Sequence, residues 1–177
     1  EMVPYLQILS RNAFGNYRTL LDEISHSPQM GKYLDLANSN KPSGVSAANE
    51  NFARELMQLF TIGLYRLYPD GSREMQPQLK PDGTPDPELP LIPIRAYDQF
   101  TVQQVALALT GWTFVGPNAN NWENFSGPLV AHQVNHDLRA KVLVDVTLPA
   151  GQTTEQDMAG VLDWLFARHT RDLGALL

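Results

Sequence analysis

A chain of 177 residues, 43% hydrophobic and 18% charged, holds enough apolar material for a globular core and too much for a disordered segment. Thirteen basic residues against nineteen acidic ones leave a net charge of −6, which argues against a nucleic-acid partner, since phosphate binding needs a basic surface. The absence of cysteine removes disulfides, thiolate metal sites and a cysteine nucleophile, and no apolar run approaches the ~18 residues of a transmembrane span. No basic-plus-apolar leader is visible at the N-terminus.

Tyr5, Leu6, Leu9 and Ala13 recur at helical intervals and predict a first helix over 3–14. Tyr17, Leu20, Leu21 and Ile24 predict a second from about Asn16 to Ser25. Ser27-Pro28, a capping hydroxyl followed by proline in the first turn, opens a short third helix over 28–36. The strongest periodicity follows. From Asn49 onward, Phe52, Leu56, Leu59 and Phe60 form an apolar stripe widened by Ala53 and Met57, with Gly63 as a natural stop.

Seven of the thirteen prolines then fall between Pro69 and Pro93, so no helix can run through that stretch. It reads as a Pro/Gly-rich insertion over about 66–97, with Asp70-Gly71 and Asp82-Gly83 as hairpin turns and 64–68 as a strand. A fifth helix starts near Asp98, which can cap directly, or at Thr101, which with Gln104 makes a rival capping box. It buries Val102, Val105, Ala106 and Leu109 and ends at Gly111-Trp112. After an irregular stretch whose one expected strand is 141–146, a sixth helix runs from Thr154, its expected cap, through Met158, Val161, Leu162, Leu165 and Phe166. The expected fold is mainly α, an irregular multi-helix domain with at most a small β-hairpin.

Two groups of polar residues can carry chemistry. Glu50 and Arg54 are neighbours one helical turn apart, as are Asn51 and Glu55. They form either a carboxylate base or metal ligand oriented by arginine, or an arginine that fixes loop carbonyls with a balancing carboxylate. His136-Asp137 is either an imidazole oriented by a carboxylate or a hydrogen-bonded histidine beside a turn-capping aspartate. His132 lies four residues before His136, the spacing of two metal ligands on one helix face, so Glu50, His132, His136 and Asp137 are the metal candidates, for a divalent ion. His26 and His169 sit near helix ends, where the dipole and solvent account for them. Trp112, Trp122, Phe125 and Trp164 form either a carbohydrate or peptide platform or part of the core, Trp122 standing in a polar stretch. No Gly-x-Ser-x-Gly elbow and no phosphate-cradling loop appears.

Residues 49–63, reading Asn-Glu-Asn-Phe-Ala-Arg-Glu-Leu-Met-Gln-Leu-Phe-Thr-Ile-Gly, and Ala108-Leu-Thr-Gly-Trp112 resemble the two signature stretches of a bacterial family, domain of unknown function 1800. Pro28-Gln-Met30 with Tyr33-Leu-Asp35, His136-Asp137 with Lys141, and the lead from Leu148 to Asp157 are similar to further pieces of it. The chain departs from the pattern at Leu107, where the family usually has Arg, at Arg139, where it has Gly, and over 170–177. The resemblance implies a mostly helical, often exported domain, of which 1–177 is a single partial domain lacking N- and C-terminal parts. It brings no activity, substrate or cofactor with it.

The expectation from residues and resemblance together is a helical binding or scaffold module of an exported bacterial protein, with a protein partner. The alternative is a metal-assisted hydrolase combining carboxylates of the 49–63 helix with His132, His136 and Asp137. If both ends of the chain are incomplete, the apolar stripe of the first or sixth helix is expected to stay uncovered.

Overall fold

Local hydrogen bonds at several helix ends decide where the elements start and stop. The computed structural model describes residues 2–173, with side chains as far as Arg168; the His169 side chain and the departure over 170–177 lie outside the side chains so described. Helices α1 (Val3–Arg11), α2 (Tyr17–Ser25) and α3 (Pro28–Tyr33) open the chain. α1 stops short of the expected Phe14 because the Asn12 amide donates to Ile8 O and Glu23 Oε2, and Gly15 N closes a turn on the Asn12 carbonyl. Asn16 Oδ1 caps α2 by accepting from Thr19 N at 3.2 Å. The Ser27 hydroxyl, expected to cap α3, instead donates to Gln29 Oε1. α3 ends at Tyr33 rather than Leu36 because Asp35 adopts φ 59°, outside the helical region, and the turn there buries both Leu34 and Leu36.

Helix α4 (Asn51–Gln58) is shorter than the expected 49–63. Asn49 stays outside and its Oδ1 accepts from Asn51 N. At the other end the orphan carbonyls find unusual partners: Glu55 O accepts from Leu59 and Phe60 N, Leu56 O from the Thr61 hydroxyl, and Met57 O from Gly63 N. The Thr-Ile-Gly tail therefore folds back over the helix end, with Gly63 at φ 69°, and does not extend it. Phe52, Ala53, Leu56 and Met57 are buried as the stripe predicts, but Leu59, past the last turn, is 67% exposed.

The proline-rich stretch is a narrow antiparallel arm. Strand β1 (Met75–Gln76) pairs with β2 (Ile92–Pro93), and residues 64–68 join by the single bridges Tyr65↔Arg95 and Leu67↔Arg73. Both Asp-Gly pairs make the expected turns: Asp70 and Asp82 each accept from the backbone and hydroxyl of the residue two positions on, Ser72 and Thr84.

Helix α5 (Gln99–Ala108) lies at the centre, against α4, α6 and β5, and buries Val102, Val105, Ala106 and Ala108. Asp98 is its cap, with Oδ1 accepting from Thr101 N and Oγ1; the rival box fails because Gln104 Oε1 accepts from Val142 N. Strands β3 (Trp112–Thr113) and β4 (Val130–Ala131) pair antiparallel, as do β5 (Lys141–Val142) and β6 (Thr147–Leu148). The expected strand over 141–146 is thus half a hairpin, turned by the bond from Leu143 N to Val146 O. Helix α6 (Thr154–Leu173) is capped one residue earlier than expected, by a reciprocal Thr153–Gln156 box, and Thr154 is buried.

Among the described residues six helices hold 36%, and three two-stranded antiparallel sheets accompany them, so the mainly α expectation stands in part: the fold is mixed α with small hairpins, where at most one was expected. The extra pairing comes from loops between helices, whose backbone groups need partners that the helices do not supply. The apolar stripe of α6 is covered: Met158, Val161, Leu162 and Leu165 are buried. That of α1 is covered only in part: Tyr5 and Leu9 are half-buried, Tyr5 against the core, while Leu6 and Ala13 are exposed.

Because a Cβ at Gly63 meets open space but its backbone is left-handed, Gly63→Ala should lower stability by about 1 kcal/mol, read as a shifted urea midpoint with unchanged slope.

Candidate functional site

Three ionisable side chains from separate segments meet with no exposure at all: His136, Lys141 and Asp157. Asp157 stands on the inner stripe of α6, between Thr154 and Val161, and presents Oδ2 to His136 Nε2 at 2.9 Å. Lys141 Nζ, at the start of β5, donates to the same Oδ2 and to Asp137 O. The far side of the imidazole meets the end of α5, where Thr110 O lies 2.8 Å from His136 Nδ1. A carbonyl can only accept, so Nδ1 carries a hydrogen, while Nε2 faces Asp157 Oδ2. Both ring nitrogens are thereby occupied.

Gly111 sits against this group from the end of α5. Its φ is 93°, and a Cβ there would stand 3.0 Å from both His136 Cβ and Thr154 Oγ1. Only glycine allows the α5 end to approach His136 so closely. Trp112 continues inward, 2% exposed, with its ring edge-on to His26 at 4.7 Å between centroids.

Asp137 does not orient its neighbour His136. It accepts from Arg139 N at 3.0 Å in an Asx turn and from the Arg139 guanidinium at 2.7 Å. Burial alone would raise its carboxyl, but the Arg139 hydrogen bonds and the charges of Arg139 and Lys141 outweigh that and hold it below the ordinary aspartate value.

His132 and His136 share no helix face. A three-residue 3-10 turn, Gln133–Asn135, separates them; His132 is extended before it, with its N–H on Gly111 O, and His136 is extended after it. Glu50 is remote from both in its bonding, accepting from Arg54 Nη2 and Gln99 Nε2, each at 2.7 Å. Arg54, with a side chain 42% exposed, also donates to Gln99 Oε1, so it braces α4 against the start of α5 and does not fix loop carbonyls. Asn51 donates weakly to Asp35 Oδ2 at 3.5 Å and is not paired to Glu55. Glu55 and Arg54 instead act electrostatically on Tyr97, whose phenol is raised chiefly by burial, with Arg54 opposing and Glu55 adding to the shift. The four metal candidates are therefore not gathered: among the described residues no group of three or more His, Asp or Glu side chains is placed to hold a metal ion.

Sequence reasoning gave no site role to Asp157, Lys141, Thr110 or Tyr97. Asp157 carried a usable signal, because it interrupts the apolar stripe at an inward position. Thr110 carried none, since its backbone carbonyl does the work.

The open surface lies elsewhere. A cleft of about 450 Å3 separates α1 and the end of α2 from the start of α3 and residues 125–129. Ile8, Phe125 and Leu129 line it together with Arg11, Asp22 and His26. His26 caps α2 and donates from Nδ1 to Asp22 O at 2.7 Å, which leaves Nε2 as the acceptor in the neutral ring. Trp164 is buried, Phe125 half-buried, and Trp122 exposed.

A family model described as "Protein of unknown function (DUF1800)" matches residues 1–171 of the chain. No curated protein and no solved structure matches it.

Asp157→Ala would leave Lys141 charged and buried without its counter-ion, and should cost roughly 3–5 kcal/mol of unfolding free energy in a denaturant titration. For Asp137 the sign follows from its depressed carboxyl: its contribution is present at neutral pH and is lost as acid protonates it below about pH 4. The urea midpoints of wild type and Asp137→Asn should differ at pH 7 and converge on acidification; a gap that widens instead would refute the assignment.

Proposed function

We propose that the chain, which belongs to the DUF1800 family of proteins of unknown function, acts as a binding and scaffold module, with the cleft beside His26 as its recognition surface. The observation that carries this reading is the occupancy of His136: one ring nitrogen is on Thr110 O, the other on Asp157, and no atom of the ring reaches solvent. A general base or metal ligand needs a ring nitrogen free to meet its substrate or ion, and reaching this one requires opening the core. The hydrolase alternative loses its second half as well, since Glu50 is held by Arg54 and Gln99.

The cleft supports the positive side of the reading. Its volume is in the range of small-molecule sites, and it combines an apolar floor with a few fixed polar groups. His26 is held twice, by Asp22 O and by the T-shaped contact with the Trp112 ring, so its ring is in position before any ligand arrives. Placement of the module in an exported bacterial protein rests on the family resemblance alone.

Two measurements on the purified full-length protein test it. A fragment screen by protein-observed NMR should yield hits whose shift changes cluster on His26, Phe125 and Leu129. Metal analysis after dialysis should find no tightly held stoichiometric ion. Stoichiometric zinc or manganese, or hits that avoid the cleft, would overturn the reading.

A further inference from the structure

Trp122 is 87% exposed, whereas Trp112 and Trp164 are 2% and 4% exposed. Leaving an indole in water forgoes a large apolar gain, so its position calls for a reason. Nor is it loose. Asn121 before it is buried, with its amide bonded to Phe114 O, Asn118 O and Asn118 N. Glu123 after it is paired with Lys32 of α3. The ring is thus presented from a braced segment.

It stands at the rim of a small pocket of about 160 Å3, which Lys32, Asp35, Asn38 and Glu123 also line. Asp35 and Asn38 are the two non-glycine residues with positive φ among the described residues, at 59° and 65°. Such backbone is uncommon outside glycine, and both instances fall on this one pocket. Asn38 is fixed by Thr113 Oγ1 and Asn121 O. Among the described residues the Asp35 carboxylate has only the weak contact from Asn51, which leaves it acceptor capacity.

We propose that this pocket is a subsite for one neutral pyranose ring of a saccharide, with Trp122 as the stacking platform and Asp35 and Glu123 as hydroxyl acceptors. A pyranose has an apolar C–H face that lies on an indole and a rim of hydroxyls that donate to carboxylates. Two carboxylates against one lysine disfavour an acidic sugar, and a flat aromatic ligand would stack but bring no hydroxyl donor to the under-bonded Asp35 carboxylate. The site is separate from the cleft beside His26, so it extends the binding reading without depending on it.

The test is a tryptophan-fluorescence titration of the purified protein with maltotriose, cellotriose, tri-N-acetylchitotriose and, as the charged control, trigalacturonate. At least one neutral trisaccharide should give a saturable change, with trigalacturonate weaker. Trp122→Ala should weaken the interaction by about tenfold or more without moving the thermal midpoint, because the ring is exposed; binding of that variant is followed by calorimetry. Asp35→Asn, which keeps the Trp122 ring, should weaken it several-fold and serves as the second variant. No response to any neutral trisaccharide, equal binding of trigalacturonate, or unchanged binding by both variants would overturn the proposal. Fragment binding in the cleft would be untouched by any of these results, so the two readings fail separately.

Discussion

Lys141, Asp157 and His136 leave water together, and the rest of the architecture has to accommodate that. A buried ion is tolerable only when its partner and its remaining hydrogen bonds are supplied in place. One oxygen, Asp157 Oδ2, answers both the ammonium and the imidazole, and the Thr110 carbonyl answers the other side of the ring. Meeting those conditions pins the first turns of α6 against residues 136–141 and the end of α5 against both. Gly111 follows from the same requirement, since any side chain there would push His136 and Thr154 apart. The second carboxylate oxygen, Oδ1, is buried without a hydrogen-bond partner among the described residues, so the node is tight but not fully satisfied.

The node also orders the surface. His136, Lys141 and Asp157 face inward and are engaged with one another, while the openings are bordered by residues with more ordinary structural duties. His26 ends α2, and Phe125–Leu129 is loop that packs along α3. α3 borders both concavities: Pro28 and Gln29 face the cleft, and Gly31 and Lys32 face the Trp122 pocket. A short helix with a tight glycine approach to Leu129 is a stiff divider between them, because the Gly31 position has no room for a side chain.

Much of the helical layout could be read along the chain. The stripe of Phe52, Ala53, Leu56 and Met57 is buried as its period requires, and both Asp-Gly turns form where proline forbids a helix. Errors fall mostly at ends, where two local solutions compete. Asp98 and Thr101 were rivals for the same backbone donors, and the contest was decided by Val142 N, which engages Gln104. Leu59 belongs to the periodic pattern but not to the helix, because Thr61 and Gly63 close the carbonyls first. Tyr97 was invisible for another reason: its setting among Arg54, Glu55 and Arg95 exists only once α4 and the arm are brought together.

By itself the sequence determined which segments wind into helices, where the proline-rich arm must interrupt them, and to which family the chain belongs. These are local matters, settled by side-chain period, proline and glycine within a few residues. It also held Asp157 in plain view on a buried stripe. Tertiary structure alone decided that the carboxylate meeting His136 is Asp157, twenty-one residues on, and not the adjacent Asp137. Neighbours on an extended backbone face opposite ways, so a contact partner for such a histidine has to arrive from another element.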